Sequence, residues 1–214
     1  MTEPVLPVLP VLPMFPLGTV LFPHALLPLH VFEPRYRVLM HDCLLSDREF
    51  GVVLIERGNE VGGGDSRFGV GTVARIERAA ELPDGRWVLE TVGTRRFDVV
   101  GWLADDPYPR ASIRWREEEE GKGLDRAEVV DNAERAVRRV LALKAEMGEP
   151  AAPATIEFAA DAEVRGWQLV EVAPLGPVDR QYLLALDNAG ERLAALAQLA
   201  ADEASVLAYR LAGG

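Results

Sequence analysis

Met14 to Val31 is an apolar stretch interrupted by Pro16, Pro23 and Pro28. Proline fixes φ and lacks an amide donor, so the stretch excludes a helix and confines any strand to edges and bulges. The pattern changes at Pro34, which suits the first helical position after Glu33. Tyr36, Leu39, Met40 and Cys43 then recur at i, i+3, i+4 and i+7, the apolar stripe of an amphipathic helix that Ser46-Asp47 ends. Beyond it the chain reads as strands. Phe50 to Ile55 is a short apolar run, and Gly58 to Arg67 is a glycine-rich loop holding Gly62, Gly63 and Gly64. Val70 to Ala79 is a strand, Leu82-Pro83-Asp84-Gly85 is a hairpin turn, and Arg86 to Val92 returns. Phe97 to Leu103 and Ala111 to Trp115 bring the total to about six or seven strands. Their spacing predicts a closed or nearly closed antiparallel barrel with one inserted helix.

After Glu117 to Gly123, where four glutamates precede Gly-Lys-Gly, the apolar period becomes that of helices. Val130, Ala133, Val137, Val140 and Leu141 share one face, with Asp131, Arg135, Arg138 and Arg139 opposite, and Gly148 with Pro150 should stop this helix. A second helix over 159–173 is apolar nearly all round and carries Trp167, which predicts the buried centre of a bundle. Pro174-Leu175-Gly176-Pro177 breaks it, and a short helix runs to about Leu186. Asp187 or Asn188 caps a last helix whose stripe is Leu193, Leu196, Ala200, Ala204 and Leu207. Three segments follow: a proline-rich extension over 1–13 with Val-Leu-Pro three times, read as a loosely held lead-in; a β domain over 14–118; and a helical bundle over 119–214. Together they make an α+β chain.

With 49% hydrophobic and 27% charged residues, the composition is that of an ordinary globular protein. No run of about 18 uninterrupted apolar residues exists, so no membrane span is expected. The apolar start carries Glu3 and regular prolines rather than a basic region and an apolar helix, so a secretory signal is not expected either. The single Cys43 allows no internal disulfide, and a cytoplasmic location is expected. The net charge of −11 is unevenly spread: residues 1–116 hold 13 Lys and Arg against 15 Asp and Glu, residues 117–214 hold 10 against 19. The second half is therefore poorly suited to backbone phosphates.

The candidate chemical motifs dissolve on inspection. Gly69-Val-Gly71-Thr-Val-Ala74 matches a dinucleotide fingerprint, but β-branched residues surround it and a hairpin turn follows where a helix is needed, so it reads as strand. Gly121-Lys122 lacks the earlier glycine and the following Ser or Thr of a phosphate loop, offering Arg116 and Gly123 instead. His24, His30 and His41 have no further ligands at zinc spacing. None of Ser46, Ser66, Ser112 and Ser205 sits in a nucleophile turn. Cys43 and His41 point apart on the helix, and Cys43 falls on its apolar stripe. Neither a cofactor nor a metal is expected.

Several segments, in order, resemble the amino-terminal substrate-binding domain of Lon proteases: Phe15-Pro16-Leu17, Leu21-Phe22-Pro23, Leu27 to Tyr36, Phe50 to Val53, Val70 to Ile76, Leu82 to Arg86, and Gly93 to Phe97. They span about residues 14–116, and Ala173 to Gln181 is similar to the helical part of short stand-alone members. The resemblance implies a PUA-like antiparallel β pseudo-barrel with one inserted helix, followed by a C-terminal helical bundle. It implies a non-enzymatic module that recognises unfolded or extended protein segments, an adaptor or regulator in proteolysis with a cytoplasmic protease as partner. The ATPase and Ser–Lys protease parts find no counterpart here. PUA-like barrels also include RNA binders, the alternative reading, for which Arg75, Arg78, Arg86, Arg95 and Arg96 would have to cluster on one face against the acidic balance. Glu33, Arg35 and Tyr36 open the inserted helix. They read either as the polar edge of a peptide groove or as a helix-terminus ion pair with a core anchor.

Overall fold

The computed structural model describes residues 9–57, 66–118 and 126–213. The chain divides into two compact units. One holds Leu26–Arg116 and the described residues up to Leu21, and the other holds Phe22–Ala25 and the described residues from Glu117 onward. The glycine-rich loop through Gly64 and the Gly121-Lys122 pair lie outside the described residues.

The first unit contains strands β1 (Val11–Leu17), β2 (Leu26–Val31), β3 (Glu49–Arg57), β4 (Ser66–Glu81), β5 (Trp87–Trp102) and β6 (Arg110–Trp115), with helix α1 (Pro34–Leu44) between β2 and β3. The sheet order is β2-β5-β4-β3-β1-β6, and β6 also pairs with β5. Five strands thus close a ring while β2 stays outside it, a pseudo-barrel rather than a regular barrel. The long β5 makes this arrangement: on one side it pairs Trp87–Val92 with β2 and Phe97–Trp102 with β6, while its other side follows β4. Met14, Val53, Val73, Phe97, Ala111 and Ile113 fill the interior.

Three expectations need correction. The sheet is mixed, because β1 and β3 are parallel. Parallel neighbours need a long crossover, and the chain supplies one by running through β2 and α1 before β3 returns beside β1. The segments Arg86–Val92 and Phe97–Leu103 are one strand. Between Thr72/Arg96 and Ala74/Gly93 the register slips by one residue, so a bulge bends β5 without ending it. Finally, pairing begins at Val11, inside the segment read as a lead-in: Val11, Leu12 and Pro13 face Ser112, Ala111 and Arg110 of β6. Each proline there removes one donor but leaves its neighbours free to pair. Prolines are tolerated in β1 because its first three residues pair with β6 and its last four with β3, so each half behaves as an edge. Pro28 lies in β2, which pairs only with β5.

Gly71 sits mid-strand in β4, where a Cβ would collide with the Val52 carbonyl and approach Phe97 to 2.6 Å. The dinucleotide-like run is therefore strand, and its glycine serves close packing.

The second unit contains α2 (Arg126–Glu146), α3 (Ala162–Val172), α4 (Pro177–Ala185) and α5 (Ala189–Leu211). The α2 and α5 stripes read from sequence are buried throughout. These two helices form the main pair, α3 packs on both, and α4 packs on α5. Asp161 caps α3, accepting from the amides of Glu163 and Val164, so the helix starts later than its apolar lead-in suggested. It buries one face, Gly166, Trp167, Leu169 and Val170, instead of lying enclosed. Its outer side carries Arg165, bound to Glu134 and Asp131 of α2. Asn188 caps α5 through its side-chain oxygen.

The helical unit borrows a piece from between β1 and β2. Phe22 is fully buried there, its ring centroid 5.8 Å from that of Trp167. Arg180 lies 4.7 Å over Phe22, and Arg192 lies 3.8 Å over Trp167. Both cations are fixed from behind, Arg180 by Glu171 at 2.6 Å and Arg192 by both oxygens of Glu118 at 2.8 Å. The result is a buried cluster in which each of the two neighbouring rings attracts a guanidinium group over its face. No described helix is long and apolar enough to cross a membrane.

Candidate functional site

Glu33, Arg35 and Tyr36 are brought together at the start of α1. Pro34 occupies the first turn, and Glu33 is the extended residue before it, accepting from the Arg37 amide through its carbonyl. The Glu33 carboxylate does not cap the helix. It accepts from Arg35 Nε at 3.2 Å, and the Arg35 guanidinium lies 4.5 Å over the Tyr36 ring. Tyr36 is only 2% exposed and stacks on Phe15 at 4.2 Å between centroids, while Phe15 in turn meets Phe50 at 5.9 Å. The three residues therefore form an ion pair laid over a core anchor.

Glu33 and Tyr36 also border a cleft. Phe15 and Leu17 of β1, Leu29 to Val31 of β2, then Phe32, Glu33 and Tyr36 enclose about 120 Å³. That volume suits one apolar side chain, and its only fixed charge is the Glu33 carboxylate. Side chains of β2 alternate outward from Leu26, 76% exposed, and Phe32, just past the strand and at the cleft's border, is 53% exposed. Exposed large apolar groups next to an apolar recess mark an interaction surface more than a folding requirement. The apolar lining was not singled out from sequence. Its signal was present in the alternation of Leu27, Leu29 and Val31 against Leu26, Pro28 and His30, which the prolines obscured.

The other candidates for chemistry are quiet. Burial, with Asp42 second, pushes the Cys43 thiol up to about 12, and its sulfur lies 3.3 Å from the Glu49 carbonyl, so it is no nucleophile at neutral pH. Among the described residues no three His, Cys, Asp or Glu side chains are grouped to hold a metal ion. Lys144 is engaged by Glu149 at 2.8 Å. The arginines proposed as an RNA surface are already neutralised: Arg75 by Glu77, Arg78 by Glu90, Arg86 by Asp84 and Arg95 by Glu49, while Arg96 is buried. A phosphate backbone would have to displace these carboxylates.

Residues 11–202 match the family described as the ATP-dependent protease La (LON) substrate-binding domain. The chain is 31% identical over 193 residues to Lon protease 2 of Herpetosiphon aurantiacus, covering 89% of this chain and 23% of that protein. It is 33% identical over 103 residues to Lon protease of Flavobacterium johnsoniae, covering 48% of this chain and 13% of that one. The chain thus spans less than a quarter of the length of these relatives. Among solved structures it is similar to the crystal structure of a Lon N-terminal domain protein from Xanthomonas campestris, with 31% identity, a TM-score of 0.62, and coverage of 87% of this chain and 96% of that one. The N-terminal domain of Mycobacterium avium complex Lon protease shares the fold at 16% identity and a TM-score of 0.58, covering 92% of this chain and 98% of that one.

Proposed function

Since this chain belongs to the Lon substrate-binding domain family, we propose that it is a non-catalytic protein-binding module that engages exposed apolar segments of other proteins, as an adaptor or regulator of proteolysis. The observation that carries the site assignment is the apolar cleft between β1, β2 and the start of α1, with Phe32 exposed at its border. Apolar burial supplies most of the affinity, at about 25 cal/mol per Å² before association costs are subtracted. The net charge of −11 falls mostly on residues 117–214 and only −2 on residues 1–116, so charge adds a modest preference for basic or neutral segments over acidic ones.

Titration of a fluorescent basic-apolar peptide and of single-stranded RNA across a salt series tests this. Peptide binding is expected to weaken only modestly with salt, because screening removes steering and leaves burial. Phe32→Ser is expected to weaken it several-fold with no change in melting temperature, since that side chain is outside the core. RNA that binds with a steep salt slope while peptides fail at every salt concentration would replace this reading with the nucleic-acid one.

The reading also holds that the 214-residue chain neither hydrolyses ATP nor cleaves casein, because its sequence carries no phosphate loop and no paired nucleophile and base. ATP-stimulated casein cleavage that disappears on altering one Ser or Lys of this chain would overturn it.

A further inference from the structure

The opposite flank of α1 carries a second cleft, of about 470 Å³, lined by Pro34, Arg37, Val38 and His41 of the helix and by Glu81 and Trp87 beside the β4–β5 turn. Its notable member is Arg37. Of the other half-buried arginines, Arg35, Arg116, Arg138, Arg165 and Arg180 each bond a carboxylate, Arg67 lies over the Trp102 ring, and Arg110 holds a buried Nε without a hydrogen-bond partner. The Arg37 guanidinium, also half-buried, has no hydrogen-bond or ion-pair partner among the described residues. It is held by shape instead. Gly85, at φ +78°, lets the hairpin turn lie directly against the guanidinium, where a Cβ would collide with it. Glu81 lines the cleft as well but makes no ion pair with Arg37, so the guanidinium donors stay open to an anion, and their planar fork matches the two oxygens of a carboxylate.

We propose that this cleft anchors the carboxy-terminal carboxylate of a protein segment that ends in an apolar residue. The proposal rests on the protein-binding reading above and names the part of the client recognised. In a terminal residue the carboxylate and the side chain share one α-carbon. One residue therefore reaches both Arg37 and the apolar wall of Trp87, Val38 and Pro34. An internal Asp or Glu brings the carboxylate without an apolar group. Glu81 lines the same cleft and opposes every anion there, a singly charged carboxylate least and phosphate groups or acidic terminal residues most.

The test is fluorescence anisotropy with one labelled Gly/Ser-rich decapeptide ending in leucine, made as the free acid, as the terminal amide, and with aspartate in place of the last leucine. The free acid is expected to bind roughly tenfold more tightly than either other form, the scale of one charge-assisted hydrogen-bonded contact. Arg37→Gln is expected to erase that difference by weakening the acid alone, and Arg37→Lys to restore part of it. Arg37 leaves no protein partner unpaired, so both variants are expected to melt as the parent does. Equal binding of acid and amide, or equal weakening of both by Arg37→Gln, overturns the carboxylate site and leaves the protein-binding reading standing. If no form binds the parent, both fall.

Discussion

Trp167→Ala is expected to lower the stability of the helical unit by about 3–5 kcal/mol, the usual cost of truncating a buried tryptophan. The ring is 1% exposed and touches both Phe22 and Arg192. Truncation therefore loses burial, opens a cavity, and strips the buried Arg192 of the ring face that partly replaces its water. Denaturant melts followed by far-UV circular dichroism, which the helices dominate, would measure the loss. A midpoint shift no larger than that of the exposed substitution Tyr209→Ala would mean that this cluster is not central to the unit.

Glu118→Ala is expected to cost about 2–3 kcal/mol, because it removes the carboxylate bonded to a buried cation and leaves only the longer-range pull of Asp187 and Glu163. Arg192 is 3% exposed; besides Glu118 it bonds the Leu186 carbonyl at 2.9 Å, and its Nε is buried without a partner. Desolvation already lowers the Arg192 pKa from its ordinary value even with Glu118 in place. The physical content lies in an asymmetry. Arg192→Met removes the cation together with its desolvation cost and keeps a side chain over Trp167, so it should be milder than Glu118→Ala. Adding Arg192→Met to Glu118→Ala should restore stability rather than subtract more. Urea melts of the two single variants and the double variant decide this. A double variant weaker than Glu118→Ala alone would show that the arginine's packing, not the unpaired charge, dominates.

The elements with a strong period were readable in the sequence. The α1, α2 and α5 stripes are buried residue for residue, since side-chain spacing alone sets which face of a helix turns inward. What escaped depends on partners distant in sequence. The parallel β1–β3 pair has no local signature, because direction is decided by the crossover and not by either strand. The merging of two apparent strands into β5 turned on a bulge, whose cost is local but whose reward lies in β4 and β6. Of the site, the grouping of Glu33, Arg35 and Tyr36 was visible because they are neighbours along the chain. The cleft beside them was not, since Phe15 and Leu17 arrive from β1. Nor was the isolation of Arg37, because being unpaired is a statement about every other residue.

The placement of Phe22 in the helical unit has a consequence for synthesis. A ribosome adds about 5–20 residues per second, so Phe22 leaves it on the order of ten seconds before Trp167 exists. Arg180 and Arg192 come later still. Throughout that interval an aromatic side chain destined for full burial has no receptor. The helical unit cannot finish folding as a contiguous C-terminal block, whatever the β unit has already achieved. The nascent chain therefore exposes an apolar site of the kind that chaperones bind, between the first two strands it makes.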